Sequence, residues 1–171
     1  MDCEINSNIT EAKVVLLCGV SGSGKTTFAN RLSQYGFSRI SGDGLIWREY
    51  GDCFPSLPQE AQKEAFMQLG RKIAYELDKA LRAGEKTVVD ATLCKRAKRD
   101  ELREICLAHG VTPVLVYLTA PLEVLSQRLA GRTGNGPDDQ IVSSAQLKSY
   151  FANFAIPSPE ENPLVIECNS K

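Results

Sequence analysis

Residues 19–26 read Gly-Val-Ser-Gly-Ser-Gly-Lys-Thr and directly follow a short apolar run at residues 13–18. The spacing matches G-x-x-x-x-G-K-[ST], the phosphate-binding loop (P-loop) that joins a strand to a helix. The run at 13–18 predicts a buried strand, and residues 25–34 predict a helix. Motif and context together therefore favour a nucleoside triphosphate site over an ordinary glycine-rich turn.

Each residue type in this loop has a chemical reason. Glycines let the backbone wrap around phosphates and point its N–H groups inward, and the following helix presents its positive end to them. Lys25 can reach the β- and γ-phosphates, and the Thr26 hydroxyl can ligate Mg²⁺. The residues predicted to bind ATP are Gly19, Ser21, Gly22, Ser23, Gly24, Lys25, Thr26 and Thr27.

Strand and helix patterns alternate along the rest of the chain. Further strands are predicted at 37–41, 86–91, 112–118 and 163–168, and further helices at 58–83, 95–108, 121–130 and 143–154. This alternation predicts a three-layer α/β P-loop fold with a five-stranded parallel sheet flanked by helices. Residues 1–12 are expected to be a flexible tail, residues 13–171 one domain, and residues 131–139 a mobile glycine-rich loop.

Composition excludes several classes of function. The 171 residues include 20 basic and 21 acidic side chains, so no overall positive field attracts nucleic acid or an anionic membrane. A polar, acidic start and the absence of a long apolar run predict a cytoplasmic protein with no membrane partner. The cysteines lack zinc spacing, and His109 is the single histidine, which disfavours a histidine-based metal site.

A P-loop alone does not specify the reaction. A GTPase normally carries an N-K-x-D motif, which this sequence lacks, and a motor or AAA-type machine usually has a longer chain. A compact kinase fits the length best.

In a parallel sheet, strand C-termini meet at one edge, so Asp43, in a turn after the second strand, should face the P-loop.

Two carboxylates at this edge are candidates for chemistry. Asp43 can accept a proton from an attacking hydroxyl, although a turn role between two glycines explains it too. Asp90 ends the third strand and can hold Mg²⁺ or contact the acceptor, or it can simply cap the next segment. Both readings stay open for each residue.

Several arginines are candidates for phosphate contact. Arg128 and Arg132, four residues apart, share a helix face and enter the 131–139 loop, so they can form a lid that neutralises the transferring group. Arg48 can line the acceptor pocket. Residues 95–104 carry five positive and three negative side chains, which fits a solvated helix face or a grip on an anionic acceptor.

The segments VVLLCGVSGSGKTTFANRL, RISGDG and TVVDATLCKRAKRD resemble small P-loop kinases grouped with polynucleotide 5′-kinases, zeta toxins, chloramphenicol phosphotransferases and gluconate kinases. The resemblance covers residues 13–167 and implies a nucleoside-monophosphate-kinase-like fold with a short arginine lid. It assigns Asp43 as the base, Arg128 and Arg132 as lid arginines, and substrate roles to the residues of one segment. These are Asp90, Thr92 and Arg99.

One position departs from that family. Many members carry an arginine three residues after the catalytic Asp, where this chain has Ile46, and Arg48 is the nearest arginine. The sequence therefore predicts an ATP- and Mg²⁺-dependent kinase acting on a hydroxyl of a small polar molecule. A nucleic-acid 5′-hydroxyl is the second acceptor class, and a nucleotide-dependent switch without an acceptor is the alternative of another kind.

Overall fold

A five-stranded, all-parallel sheet forms the centre of the computed structural model, which describes residues 5–168. The strands lie in the order β2-β3-β1-β4-β5. They are β1 (Val14–Cys18), β2 (Ser38–Ser41), β3 (Thr87–Asp90), β4 (Val114–Thr119) and β5 (Leu164–Glu167). The parallel sheet predicted from the sequence is confirmed.

Helices connect the strands and cover both faces of the sheet. They are α1 (Ser7–Thr10), α2 (Lys25–Leu32), α3 (Gly42–Tyr50), α4 (Gln59–Arg82), α5 (Arg96–Ala108), α6 (Leu122–Ala130) and α7 (Ser144–Ala152). Short 3-10 turns interrupt the connecting loops, including one at Pro137–Asp139. Within residues 5–168, no helix combines the length and apolar character that a membrane crossing needs.

The central strand explains why its sequence is a continuous apolar run. Val14, Leu16 and Cys18 pack on one face against α4 and α5, whereas Val15 and Leu17 pack on the other against α2. Every residue of β1 is buried. A strand covered on both faces has no solvent-facing positions to alternate with.

The N-terminal segment differs from the expected flexible tail over residues 1–12. Asn6 caps the single turn α1, and Ile9 is 1% exposed and packs with Phe28 and Leu32 in the core. Residues 1–4 of the predicted tail, like residues 169–171 of the predicted domain, lie outside the described residues. Residues 5–12 therefore pack against the domain, because Ile9 is buried in its core and Ile5 and Ala12 contact the same cluster.

The predicted turn at residues 42–44 is wrong. These residues begin helix α3, and the Ser41 hydroxyl accepts a hydrogen bond from the Gly44 N–H at 3.0 Å. A serine N-cap satisfies a free backbone donor and stabilises a helix start. Two glycines around Asp43 suggested a turn, but capping and the burial of Ile46 favour the helix.

Candidate functional site

The loop between β1 and α2 has the backbone that its glycines permit. Gly24 is the N-cap of α2, with a left-handed φ of 101°. Gly19 has φ 150°, and a Cβ there would lie 2.3 Å from the carbonyl oxygen of Leu118. A side chain at either position would be strained. The loop therefore opens directly into the first turn of α2, where backbone N–H groups are free to bind an anion.

Lys25 is the first residue of α2, and its side chain folds back into the P-loop. Its Nζ donates to the carbonyl oxygens of Gly19 at 2.8 Å and Val20 at 3.1 Å. Burial lowers the pKa of Lys25, while the nearby Asp90 and Asp43 carboxylates oppose that effect. The ammonium group is thus bound to the P-loop backbone and is close to the carboxylates of Asp43 and Asp90.

Thr26 and Asp90 form an oxygen pair at the end of β3. The Thr26 hydroxyl donates to Asp90 Oδ2 at 3.0 Å, and the Asp90 side chain is 5% exposed. Strand pairing places Asp90 level with Leu17 of β1 and Ser41 of β2. The juxtaposition of Thr26 and Asp90 could not be read from local sequence, since they are 64 residues apart.

This oxygen pair fits Mg²⁺ rather than a soft metal. Mg²⁺ is usually bound through one or two carboxylates, substrate phosphates and water, and not by a full protein cage. Among residues 5–168, no group of three or more His, Cys, Asp or Glu side chains could hold a metal. Thr26 and Asp90 therefore suit an ion that arrives with the nucleotide.

Arg39 is a site residue that the sequence analysis missed. Its Nε and Nη2 donate to Asp90 Oδ2 at 2.9 and 2.6 Å. Nη2 also bonds Asp138 Oδ1 at 2.6 Å. A charged side chain within a short strand beside the P-loop was the available signal, but its partners lie 51 and 99 residues away in sequence.

Asp43 lies in the first turn of α3, at the carboxyl edge of the sheet. The residue is exposed, yet the protein atoms packed near its carboxylate desolvate that group. This desolvation raises the pKa of Asp43, Lys25 and Arg132 oppose the rise, and Asp90 adds to it. Asp43 is therefore close to Lys25 of the P-loop.

The two predicted lid arginines have different positions. Arg132 follows α6, donates to the Gln140 carbonyl at 3.1 Å, and is near enough to Lys25 and Asp43 to affect both pKa values. Arg128 instead donates to the carbonyl oxygens of Gly22 at 3.0 Å and Cys168 at 2.8 Å. The Arg128 guanidinium therefore contacts the P-loop backbone, and its predicted catalytic role in the lid stays a prediction.

Arg99, which is predicted to contact substrate, has protein partners in this structure. Arg99 is 1% exposed and makes a forked pair with Glu161, at 2.6 Å to Oε2 and 2.9 Å to Oε1. It also donates to the carbonyl oxygens of Leu93 and Ala155. The contacts with Glu161 and Ala155 join α5 to the segment before β5, and the contact with Leu93 joins α5 to the loop that follows β3, so Arg99 stabilises the fold.

Replacing Arg99 by methionine should lower the free energy of unfolding by about 3–5 kcal/mol, because it leaves the buried Glu161 carboxylate without its charge partner. Arg96→Met is the matched control, since Arg96 is exposed on the same helix and pairs only at the surface. Urea unfolding at neutral pH measures both. Equal stability of the two variants would contradict the structural role of the Arg99–Glu161 pair.

The other predicted contacts are less direct. Thr92 is exposed, and its carbonyl oxygen accepts from the Gly19 N–H at 3.2 Å, so it supports the loop through its backbone. Arg48 is exposed and five residues beyond Asp43, which turns it well away from that carboxylate around α3. Ser23 is 1% exposed, so its hydroxyl points into the protein.

Residues 131–140, here called the lid segment, form hydrogen bonds within the segment and with β2. The Asp139 carboxylate accepts from the Thr133 N–H at 3.0 Å, the Thr133 hydroxyl at 2.6 Å and the Asn135 N–H at 3.3 Å. Asp138 reaches Arg39 on β2. The segment therefore lies across the cleft beside Asp43 rather than away from it.

Comparison with known proteins identifies the family. A family model described as an AAA domain matches residues 14–157. The chain belongs to this AAA-domain family. The description names no substrate, and the match includes every strand but β5.

Solved structures similar to this AAA-domain protein include kinases. A sugar kinase from Janibacter sp. HTCC2649 is 26% identical, with a TM-score of 0.69 over 91% of this chain and 85% of that one. Chaetomium thermophilum Kti12, in complex with ADP-AlF3, has a TM-score of 0.71 at 13% identity, over 91% and 89% of the two chains. The predicted resemblance to small P-loop kinases is confirmed, and the chain is a kinase-like P-loop domain.

A curated relative of this chain is also a kinase. Cytidylate kinase from Sulfolobus acidocaldarius is 24% identical over 130 residues, which are 75% of this chain. The match spans 66% of that relative's length. The chain therefore corresponds to only part of that enzyme, and the name of the relative is no assignment of substrate.

Proposed function

We propose that this protein is an ATP-dependent kinase that transfers the γ-phosphoryl group to a hydroxyl of a small polar molecule. The observation that supports it best is the arrangement of three charged side chains around one cleft. Lys25, Asp43 and Arg132 lie close enough for each cation to affect the pKa of Asp43. Phosphoryl transfer needs a cation that binds the phosphates of the donor nucleotide, a base for the acceptor hydroxyl and a group that neutralises the transferring charge.

Separate residues bind the phosphates, activate the acceptor and hold the metal. The P-loop amides and Lys25 bind the β- and γ-phosphates, and Arg132 neutralises the transferring group from the opposite side. Asp43 hydrogen-bonds the acceptor hydroxyl, orients its oxygen in line with the γ-phosphate, and takes its proton. Thr26 and Asp90 would hold Mg²⁺, which supplies positive charge to the phosphate oxygens when bound.

The positions of two arginines favour a small acceptor over a nucleic-acid 5′ end. Arg99 is buried against Glu161, and Arg48 is turned away from Asp43 around α3. Neither is placed to bind the backbone phosphates that an oligonucleotide would bring past the cleft. Nucleic-acid binding depends mainly on such contacts.

The test is acceptor-dependent release of ADP from ATP and Mg²⁺. The panel contains sugars, sugar acids, nucleosides, cytidine monophosphate and a 5′-hydroxyl oligonucleotide, with the product identified by mass spectrometry. We expect one hydroxyl-bearing small molecule to raise ADP release at least about 10²-fold over buffer, and EDTA to abolish it. Slow hydrolysis that no acceptor stimulates would instead identify a nucleotide-dependent switch.

A further inference from the structure

Arg39 connects two parts of the cleft that are otherwise separate. On one side its Nε and Nη2 both donate to Oδ2 of Asp90, the carboxylate beside Thr26 at the end of β3. On the other side, Nη1 and Nη2 bond the two oxygens of Asp138 in the lid segment, at 3.1 and 2.6 Å. One side chain on β2 thus holds both an interior carboxylate and the lid.

The environment of Arg39 makes these contacts specific. The Arg39 side chain is 18% exposed, Asp90 is 5% exposed and Asp138 is 38% exposed, so the pair with Asp90 is the more sheltered one. A planar guanidinium binds two carboxylates in fixed directions, which a lysine cannot reproduce. The position of the Asp90 carboxylate therefore sets the direction in which Arg39 presents its remaining N–H groups to the lid.

We propose that Arg39 is a positioning residue that couples closure of the lid segment to the orientation of the Asp90 carboxylate. Closure brings Asp138 toward an interior that already contains Asp43 and Asp90. Three carboxylates around one cleft repel one another, and the guanidinium between Asp90 and Asp138 offsets that repulsion. The raised pKa of Asp43, to which Asp90 and Asp138 both contribute, is consistent with this crowding.

The coupling acts in both directions, as any linkage between two states must. When Asp90 is held in place, Arg39 is aligned for Asp138 and the lid segment lies over the cleft. When Asp90 loses its charge, Arg39 keeps only neutral partners on the inner side, the hydroxyls of Thr26 and Ser41 among them, and the lid should open although Asp90 forms no hydrogen bond with Asp138. This transmitted effect distinguishes a coupling residue from one that merely anchors the lid.

Hydrogen exchange of the nucleotide-free protein tests the coupling without any assay of activity. The variants are Arg39→Gln, Arg39→Lys, Asp138→Asn, Asp90→Asn and the double variant Arg39→Gln/Asp138→Asn. Arg82→Gln is the matched control, because Arg82 makes an exposed ion pair with Asp78 on α4. The readout is the exchange rate of residues 133–140, with intact folding checked by exchange in β1 and β4.

We expect Arg39→Gln and Asp138→Asn each to raise exchange of residues 133–140 about 5-fold or more, with no further rise in the double variant. Arg39→Lys should behave like Arg39→Gln, and Arg82→Gln like the wild type. Asp90→Asn should raise exchange in the same residues at least about 2-fold. Unchanged exchange in Arg39→Gln overturns the proposal, and so does a lid that is unaffected by Asp90→Asn.

The relevance of this coupling to catalysis rests on the proposed kinase function, but the two can fail separately. If the exchange pattern is found and no acceptor is phosphorylated, the coupling stands and the proposed reaction is wrong. If phosphotransfer is found and Asp90→Asn leaves the lid unchanged, the reaction stands and the coupling is wrong.

Discussion

Lys25→Ala is expected to lower phosphotransfer by at least about 10²–10³-fold, the range observed when one preorganised donor to transition-state charge is lost. Lys25 is the cation inside the loop that would bind the β- and γ-phosphates. Its Nζ already binds the loop carbonyl oxygens of Gly19 and Val20. Steady-state ADP release, with whichever acceptor the panel identifies, measures the effect.

Stability should not fall in the same variant. Burial lowers the pKa of Lys25, so the charged form is less stable in the folded protein than in the unfolded chain. Removing that charge should leave Tm equal or raise it. Lys63→Ala, at an exposed lysine paired with Glu60, is the matched control and should change neither activity nor Tm. Full activity in Lys25→Ala would place the nucleotide site elsewhere.

Asp43→Asn is expected to lower kcat by about 10²–10⁴-fold, the usual contribution of general-base catalysis. The amide keeps the shape of the side chain but cannot accept the hydroxyl proton. ATP affinity should change little, because the P-loop and Lys25 hold the phosphates. If Asp43 merely occupied a favourable place in the first turn of α3, the loss would be a small change in stability with kcat near the wild-type value.

The pH dependence offers an independent check on Asp43. Desolvation in the cleft raises its pKa, so the carboxylate gains its proton at a higher pH than an ordinary aspartate does. A reaction that needs the ionised form is lost as the pH falls through that raised value. The acid limb of kcat/KM, which reports the free enzyme, should therefore lie above the usual range for Asp. Asp52→Asn, at an exposed residue after α3, should leave the profile unchanged.

The sequence predicted the sheet and the P-loop well because both depend on local patterns. The apolar run of β1 and the following glycines fix a strand, a tight loop and a helix within one short stretch. The predicted place of Asp43 at the carboxyl edge also followed from a general rule, since parallel strands end together. The start of α3 was missed because its two glycines disfavour a helix. The Ser41 cap and the burial of Ile46 together stabilise the helix, and that burial depends on the tertiary fold.

The arginines show what local patterns cannot reveal. The sequence analysis gave Arg99 a substrate role and Arg128 a lid role, and it did not single out Arg39. Each of these arginines has a partner far along the chain. Whether a guanidinium meets a phosphate, a buried glutamate or a backbone carbonyl depends on tertiary placement. Spacing along a helix gives the face of an arginine but not the group opposite that face.

The contact between Arg128 and the end of β5 has a consequence for protein synthesis. The P-loop motif leaves the ribosome early, whereas Cys168, whose carbonyl oxygen holds Arg128 against Gly22, is translated more than a hundred residues later. Until β5 has been made and has paired with β4, Arg128 lacks its contact with the Cys168 carbonyl oxygen. A nascent chain would thus contain the complete motif long before Arg128 could contact both Gly22 and Cys168, so the P-loop reaches its final surroundings only when the last strand is in place.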